Sequence, residues 1–542
     1  MTPTWLTGWR PYALLGIFCL CLYLPGLAAI PVLDRDEARF AQATRQMLES
    51  GDFLHIRFQD EARNNKPAGI YWLQAAAVGA LSTPRSTAIW PYRLPSLLGA
   101  SLAVLLIFGL GRALLGAPRP AMIAAVLLAA ALGTIAEAHI AKTDAALLAA
   151  ITAGQGALGL AYTRARAGGR VGPGVAAVFW LAEIAAILLK GPVGPGLAAV
   201  TALTLSIADR DARWLRGLRP LFGLAATVLA VAPWFYAIEH ATKGQFLSQS
   251  LGHDFLSKII GEQEAHGAPP LYYLGLAFLT FWPGSLLLAP ALIGGWRRRA
   301  LPASRFLLAW LVPAWIGLEL VPTKLPHYAL PLYPALALLA AAALVEDGDA
   351  RRWVRWTFAA NTGLWLLATL AIAAALIVLP IRLGDGVMAA GIAGAAALAV
   401  LSAAFLYRRP GPRGVTALLA VMALALVVPA SVVVPSLDRL WLSRGAAALV
   451  ARHEPPTGTQ LVVIGYNEPS LVFLLGNGFK AQTADVPVPS GSDALVSSRD
   501  EAGFEQTVAA QGLAARPIDS ARGTDYSNGE QMALTLYQIG PK

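Results

Sequence analysis

Cysteine is almost absent from this 542-residue chain. The two present, Cys19 and Cys21, sit inside the first hydrophobic stretch, so they build neither a disulfide framework nor a thiolate metal cluster, and they leave the redox compartment unread. Charge is scarce as well: Asp, Glu, Lys and Arg together make up 14% of residues against 56% hydrophobic ones. A soluble domain of this length needs far more polar surface, so most of the chain must lie in a bilayer. Also missing in proper context are a P-loop, a dinucleotide fingerprint, an HExxH and a Gly-x-Ser-x-Gly, which removes support for soluble nucleotide donors and hydrolase triads. There is no repeat of solenoid period, and no low-complexity tract beyond the Ala-rich runs.

What is present is a series of apolar runs of roughly 17–25 residues, each long enough to span a membrane. About 13 are counted, the first near Tyr12–Ile30 and the last near Val415–Val434. The expected fold is an all-α polytopic membrane protein. The first run lacks a convincing small-residue cleavage site and reads as a retained helix. The chain then turns polar. In this tail Gln460–Gly465 reads as a strand, Pro469–Leu475 as a helix and Met532–Tyr537 as an alternating final strand, a small α/β domain. The expected division is therefore 1–434, a membrane-embedded catalytic domain with long loops at 31–91 and 239–270, and 435–542, the α/β domain.

The net charge of +10 does not point to nucleic acid, because the arginines stand at helix ends beside membrane. They crowd alternate loops: Arg112 and Arg119; Arg164, Arg166 and Arg170; Arg210, Arg213, Arg216 and Arg219; Arg297, Arg298, Arg299 and Arg305; Arg351, Arg352 and Arg355; Arg408, Arg409 and Arg413. With a cytoplasmic N-terminus all six loops obey the positive-inside rule. An odd number of spans then carries the tail to the outer face, periplasmic in a Gram-negative bacterium. The first long outer loop has a helical apolar spacing at Phe40, Ala43, Met47 and Leu48 that predicts a short helix lying on the membrane surface.

The outer loops hold the chemistry. Asp34 reads as a helix cap, whereas Asp36 opens an Asp36-Glu37-Ala38-Arg39 cluster at the mouth of a membrane cavity, where an unpaired carboxylate is costly. Lys66, with Tyr71 and Trp72 behind it, reads either as a ligand or as a snorkelling lysine in an aromatic belt, and Arg93 invites the same two readings. Lys142 and Asp144 allow a site or a structural ion pair. Lys190 ends a helix before a Gly191-Pro192 break, which suits an anion site or plain dipole compensation. The strongest constellation is Lys324-Leu325-Pro326-His327-Tyr328, where a helical turn would place Lys324 and Tyr328 on one face. Outward cations converging with one or two carboxylates imply an anionic substrate at the membrane surface, most simply a lipid phosphate.

These segments, together with Lys66-Pro67, Arg93-Leu94-Pro95-Ser96 and Lys190-Gly191-Pro192, resemble the signature of the bacterial lipid A aminoarabinose transferases. That family stands with the protein O-mannosyltransferases among the polyprenyl-phosphate-dependent GT-C glycosyltransferases. The resemblance covers nearly the whole chain. It implies transfer of a sugar from an undecaprenyl-phosphate donor to lipid A or lipopolysaccharide at the outer side of the inner membrane. It further implies that Asp36 is essential, that Lys66 helps hold the donor phosphate, and that a histidine of the second outer loop, nearest His253, lies by a metal. One departure stands out. The family places an acidic residue just before the Lys-Pro, and this chain has Asn65. That leaves a divalent metal and a cationic amino sugar in question, and a neutral or acidic sugar such as galacturonate on lipopolysaccharide core as an alternative.

The expected mechanism is a single inverting displacement with no required cofactor. Asp36, Asp144 and Arg39 are the catalytic candidates; Lys66, Arg93, Lys142, Lys190, Lys324, Tyr328 and His327 are the substrate-binding candidates. Two other readings are weighed. Transfer to Ser or Thr of secreted proteins would produce glycosylated peptides. A lipid-sugar transporter would place ionisable residues deep in the spans and broken helices in two related halves, and needs no long outer loops.

Overall fold

The computed structural model describes residues 6–250, 269–345, 352–453, 460–476, 478–526 and 528–542. Helix α1 (Arg10–Tyr23) is shorter than the predicted first span, because Pro25 lacks a backbone donor and Gly26 takes a positive φ of 85°. The chain then forms α2 (Asp36–Ser50), a two-stranded hairpin of β1 (Arg57–Phe58) and β2 (Glu61–Ala62), and α3 (Gly69–Leu81). The amphipathic spacing does make α2 a helix, but not one lying open on the membrane. Ala38, Phe40, Ala41, Ala43 and Met47 are buried, and the tail helix Pro469–Leu475 packs across it.

Next come α4 (Trp90–Leu115), α5 (Pro118–Ala130), α6 (Leu132–Ala138), α7 (Asp144–Arg166), α8 (Pro173–Lys190), α9 (Val193–Asp209) and α10 (Pro220–Ala241). Among the described residues nine helices are long and apolar enough to cross a membrane, and the α5–α6 pair, bent by 59°, makes a tenth if it is one span. The count falls short of 13 because Arg10–Tyr23 and Val193–Asp209 are short, and the apolar stretch between 272 and 297 is split into Tyr272–Thr280 and Leu288–Arg297. This is a multi-pass membrane protein.

Two contacts fix the bundle's ends. Gly99 lets α4 approach α7 backbone to backbone, since a Cβ there would lie 2.6 Å from the Ala146 Cα. This sets the height of Asp144, the first residue of α7. At the other end of α7, Asp209 gathers Arg166 at 3.6 Å, the Tyr162 hydroxyl at 2.7 Å and Arg305. A helix of this length rises roughly 35 Å, so the loops that carry Arg166 and Arg305 lie far from the Asp144 end of the bundle.

The tail carries a five-stranded sheet in the order β4 (Phe479–Gln482), β3 (Leu461–Ile464), β5 (Asp493–Ser497), β7 (Glu530–Pro541), β6 (Leu513–Asp525). β3 runs parallel to β4 and β5, while β7 runs antiparallel to β5 and β6. Alternation puts Leu461 and Val463 against helices Leu442–His453 and Pro469–Leu475 on one face, and Val462 and Ile464 against Glu501–Ala510 on the other. The predicted first strand and helix are present, and the last strand is longer than predicted.

Candidate active site

The segment leading into α2 is organised by Arg93, on the first turn of α4. Its Nε donates to Glu37 Oε1 and one Nη to Glu37 Oε2, both at 2.8 Å; the remaining donors reach the carbonyls of Leu27, Ile30 and Pro31 at 2.7 to 2.9 Å. Both side chains are fully buried. All five guanidinium N–H groups are thus engaged, and none is left for a donor phosphate. Arg93, expected from the sequence to bind substrate, here ties the start of α4 to the segment that leads into α2. Glu37 in turn accepts the N–H groups of Leu33 and Ala141, both at 2.8 Å, joining the start of α2 to the loop before α7.

That loop opens the main cluster. Asp144 takes Lys190 Nζ at 2.6 Å and lies 3.9 Å from His327 Nε2 on the same oxygen, while Lys142 Nζ stands 3.7 Å from its other oxygen. Lys142 also pairs with Glu137 at 2.9 Å. Burial alone would lower Lys142, but Glu137 and Asp144, helped by Asp36, hold its ammonium well above the ordinary lysine range. Lys190 Nζ hangs 5.7 Å over the Tyr328 ring, which meets His327 edge to face. Four helical segments contribute: α6 ends just before the loop, α7 begins at Asp144, α8 ends at Lys190, and a 3-10 turn spans Pro326–Leu332. Lys142, Asp144, Lys190, His327 and Tyr328 are therefore brought together. Glu137 belongs with them and is absent from the sequence-based candidates.

Lys324 lies elsewhere. It precedes the 3-10 turn rather than sharing a helical face with Tyr328, and its Nζ goes to the Glu319 carbonyl at 2.7 Å and the Glu319 carboxylate at 3.8 Å. Lys66 is half-buried just before α3, and Asn65 beside it is exposed. Asp36 is exposed at the first position of α2. Arg39, half-buried one turn on, is lowered from the ordinary arginine range by burial and by Arg63, with Asp36 and Glu468 opposing. Asp34 does not cap α2. Its Oδ1 accepts the Ser470 N–H at 2.9 Å and its own N–H donates to the Tyr526 hydroxyl, so it ties the tail to this segment. Burial pushes its carboxyl above the ordinary aspartate range.

Among the described residues no group of three or more His, Cys, Asp or Glu is placed to hold a metal ion. Glu137 and Asp144 each carry a lysine, surroundings that suit an anion rather than a divalent cation. His253 lies outside the described residues. Ionisable groups are not confined to the helix ends: Glu183 is buried in the middle of α8, its Oε2 without a hydrogen-bond partner, and the α5–α6 pair is bent by 59°.

Comparison with known proteins places this arrangement. Residues 10–208 match the family model of the dolichyl-phosphate-mannose-protein mannosyltransferases. The undecaprenyl phosphate-alpha-4-amino-4-deoxy-L-arabinose arabinosyl transferase of Pseudomonas paraeruginosa is 30% identical over 372 residues, covering 67% of this chain and 65% of its own. That of Edwardsiella ictaluri is 27% identical over 337 residues, covering 62% and 59%. The chain thus spans about three fifths of these relatives' length. The crystal structure of ArnT from Cupriavidus metallidurans bound to undecaprenyl phosphate superposes with a TM-score of 0.74 over 98% of both chains at 19% identity. Its apo state gives 0.71 over 97% of both chains at 20%. The resemblance read from the sequence holds: this chain is similar to the undecaprenyl-phosphate aminoarabinosyl transferases along about two thirds of its length and shares their fold along nearly all of it.

Proposed function

We propose that the chain is an integral-membrane glycosyltransferase that moves a sugar from undecaprenyl phosphate to lipid A or lipopolysaccharide core, most like aminoarabinose transfer to a lipid A phosphate. The observation that carries this is Asp144 holding Lys190 beside His327 and Lys142 at one end of the bundle, next to the Asp36 segment. Cations fixed in this way at a membrane face suit a lipid-linked phosphate. In this reading residues 1–434 form the catalytic part in the bacterial inner membrane, with the N-terminus cytoplasmic, and 435–542 lies in the periplasm. The meeting of Arg166 and Arg305 at Asp209, at the opposite end of α7, supports that orientation.

The reaction is one displacement. The acceptor oxygen bonds to the anomeric carbon as the bond from that carbon to the donor phosphate oxygen breaks, and the electron pair leaves with undecaprenyl phosphate. Configuration inverts. Lys190, Lys142 and Lys66 offset the charge growing on the leaving phosphate, with His327 and Tyr328 lining its place. Lys324, held by Glu319, stands apart from this set. Asp144 orients Lys190, and its loss leaves both lysines without their shared anchor. A lipid A phosphate acceptor is already ionised and needs no base; a hydroxyl acceptor gives its proton to Asp36, with Arg39 alongside to orient it. No step uses a cofactor.

Two observations keep other acceptors in view. Asn65 in place of an acidic residue favours a sugar without an amino group, as in galacturonate transfer to core. The match of residues 10–208 to protein mannosyltransferases favours transfer to a protein hydroxyl. Purified protein in lipid nanodiscs, given an undecaprenyl-phosphate sugar and lipid A, tests the reading: formation of sugar-bearing lipid A supports it. Transfer to a secreted peptide, with lipid A unmodified, moves the assignment to the protein branch.

A further inference from the structure

Arg35, immediately before Asp36, has φ 61° and ψ −106°, a backbone conformation that residues with a side chain rarely adopt. Such a turn persists only where its surroundings hold it. From the membrane side Arg93 grips the carbonyls of Leu27, Ile30 and Pro31 and the Glu37 carboxylate. From the other side the grip comes from the tail. The Tyr526 hydroxyl accepts the Asp34 N–H, and Asp34 accepts the Ser470 N–H. Arg45 of α2 donates to the Phe473 carbonyl at 2.6 Å and lies 4.3 Å over its ring. Phe473 itself, wholly buried, packs with Val32, Ala38 and Ala41 of the held segment and with Tyr92 and Ala141 of the site's flanks.

We propose that the C-terminal domain is one jaw of a clamp that holds the Arg35 turn and so keeps Asp36 beside the Lys142 and His327 cluster. This rests on the proposed glycosyl transfer with Asp36 as a participating carboxylate, and it gives the tail a positioning role rather than a separate activity. Releasing the jaw lets Arg35 relax to negative φ and swings Asp36 away. Lys142 and Lys190 have their own anchors in Glu137 and Asp144, so donor binding persists while turnover falls.

The test uses the full chain in nanodiscs with Tyr526→Phe, which removes one hydroxyl, and Phe473→Ala, which removes the buried ring. Backbone hydrogen exchange across residues 33–39 is expected to rise by about tenfold or more, with α7 and α8 unchanged. With an undecaprenyl-phosphate sugar, kcat is expected to fall roughly tenfold while the donor KM stays within about twofold. Unchanged exchange across 33–39 in both variants overturns the clamp, and so does raised exchange with full kcat. If Phe473→Ala unfolds the tail, Tyr526→Phe decides alone. If the wild type transfers no sugar, the transferase reading fails, while the exchange measurement still decides whether the tail holds the turn.

Discussion

Arg93 and Glu37, 56 positions apart, meet fork to fork, with Nε to Oε1 and Nη2 to Oε2 both at 2.8 Å and neither side chain reaching solvent. Arg93→Ala would strand a buried carboxylate and three carbonyls, a loss of about 3–5 kcal/mol. Lysine cannot restore the fork, because it offers three donors from one point. Thermal unfolding in nanodiscs should show a large fall for Arg93→Ala and an intermediate one for Arg93→Lys. Asp36→Ala, at an exposed position, should melt with the wild type. A fully stable Arg93→Ala with only a raised donor KM would return Arg93 to phosphate binding.

Asp144 and Lys190 form one unit at 2.6 Å, so their substitutions should not add. Asp144→Asn and Lys190→Gln are each expected to lower kcat/KM, with the double variant close to the worse single one and a coupling of about 0.5–3 kcal/mol. Additive losses in a double-mutant cycle would mean that the two act separately.

Asp34 gives the docked tail a dependence on pH. Because its folded-state carboxyl is raised, chiefly by burial, it contributes stability that is present below the ordinary value of 3.8 and lost as pH rises through the folded value. Asn at this position keeps an oxygen for the Ser470 N–H and cannot ionise. Proteolysis of the tail as pH rises from 4 to neutrality should increase more in the wild type than in Asp34→Asn. Equal curves would show that Asp34 is not the titrating contact.

Among the described residues no cation is paired with Glu183 in the middle of α8, and a lone carboxylate there is expensive. Glu183→Gln should leave transfer intact and leave the melting temperature unchanged or raise it. Loss of transfer in a stable Glu183→Gln protein would give this carboxyl a part in function, as a transporter-like reading requires.

The fold class was legible because long apolar runs separated by arginine-rich loops admit little else. Lys142, Asp144, Lys190 and His327 were legible for a related reason: a charged residue at the end of an apolar helix is conspicuous. Glu137 was hidden because it sits singly in an Ala-rich run, and only the loop that follows α6 folds Lys142 back onto it. The partners of Arg93 were not legible because Glu37 lies 56 residues away and three of its acceptors are backbone carbonyls, which leave no trace in side-chain pattern. The docking of Phe473 onto α2 was equally invisible, since a phenylalanine in a short helix looks like ordinary core of its own domain.

The most direct test is mass spectrometry of lipid A and core oligosaccharide from cells that make the lipid-linked donor and express either the wild type or Asp36→Ala. The account predicts a sugar-sized mass increment with the wild type and none with Asp36→Ala. The same increment in both, or in neither, would contradict it.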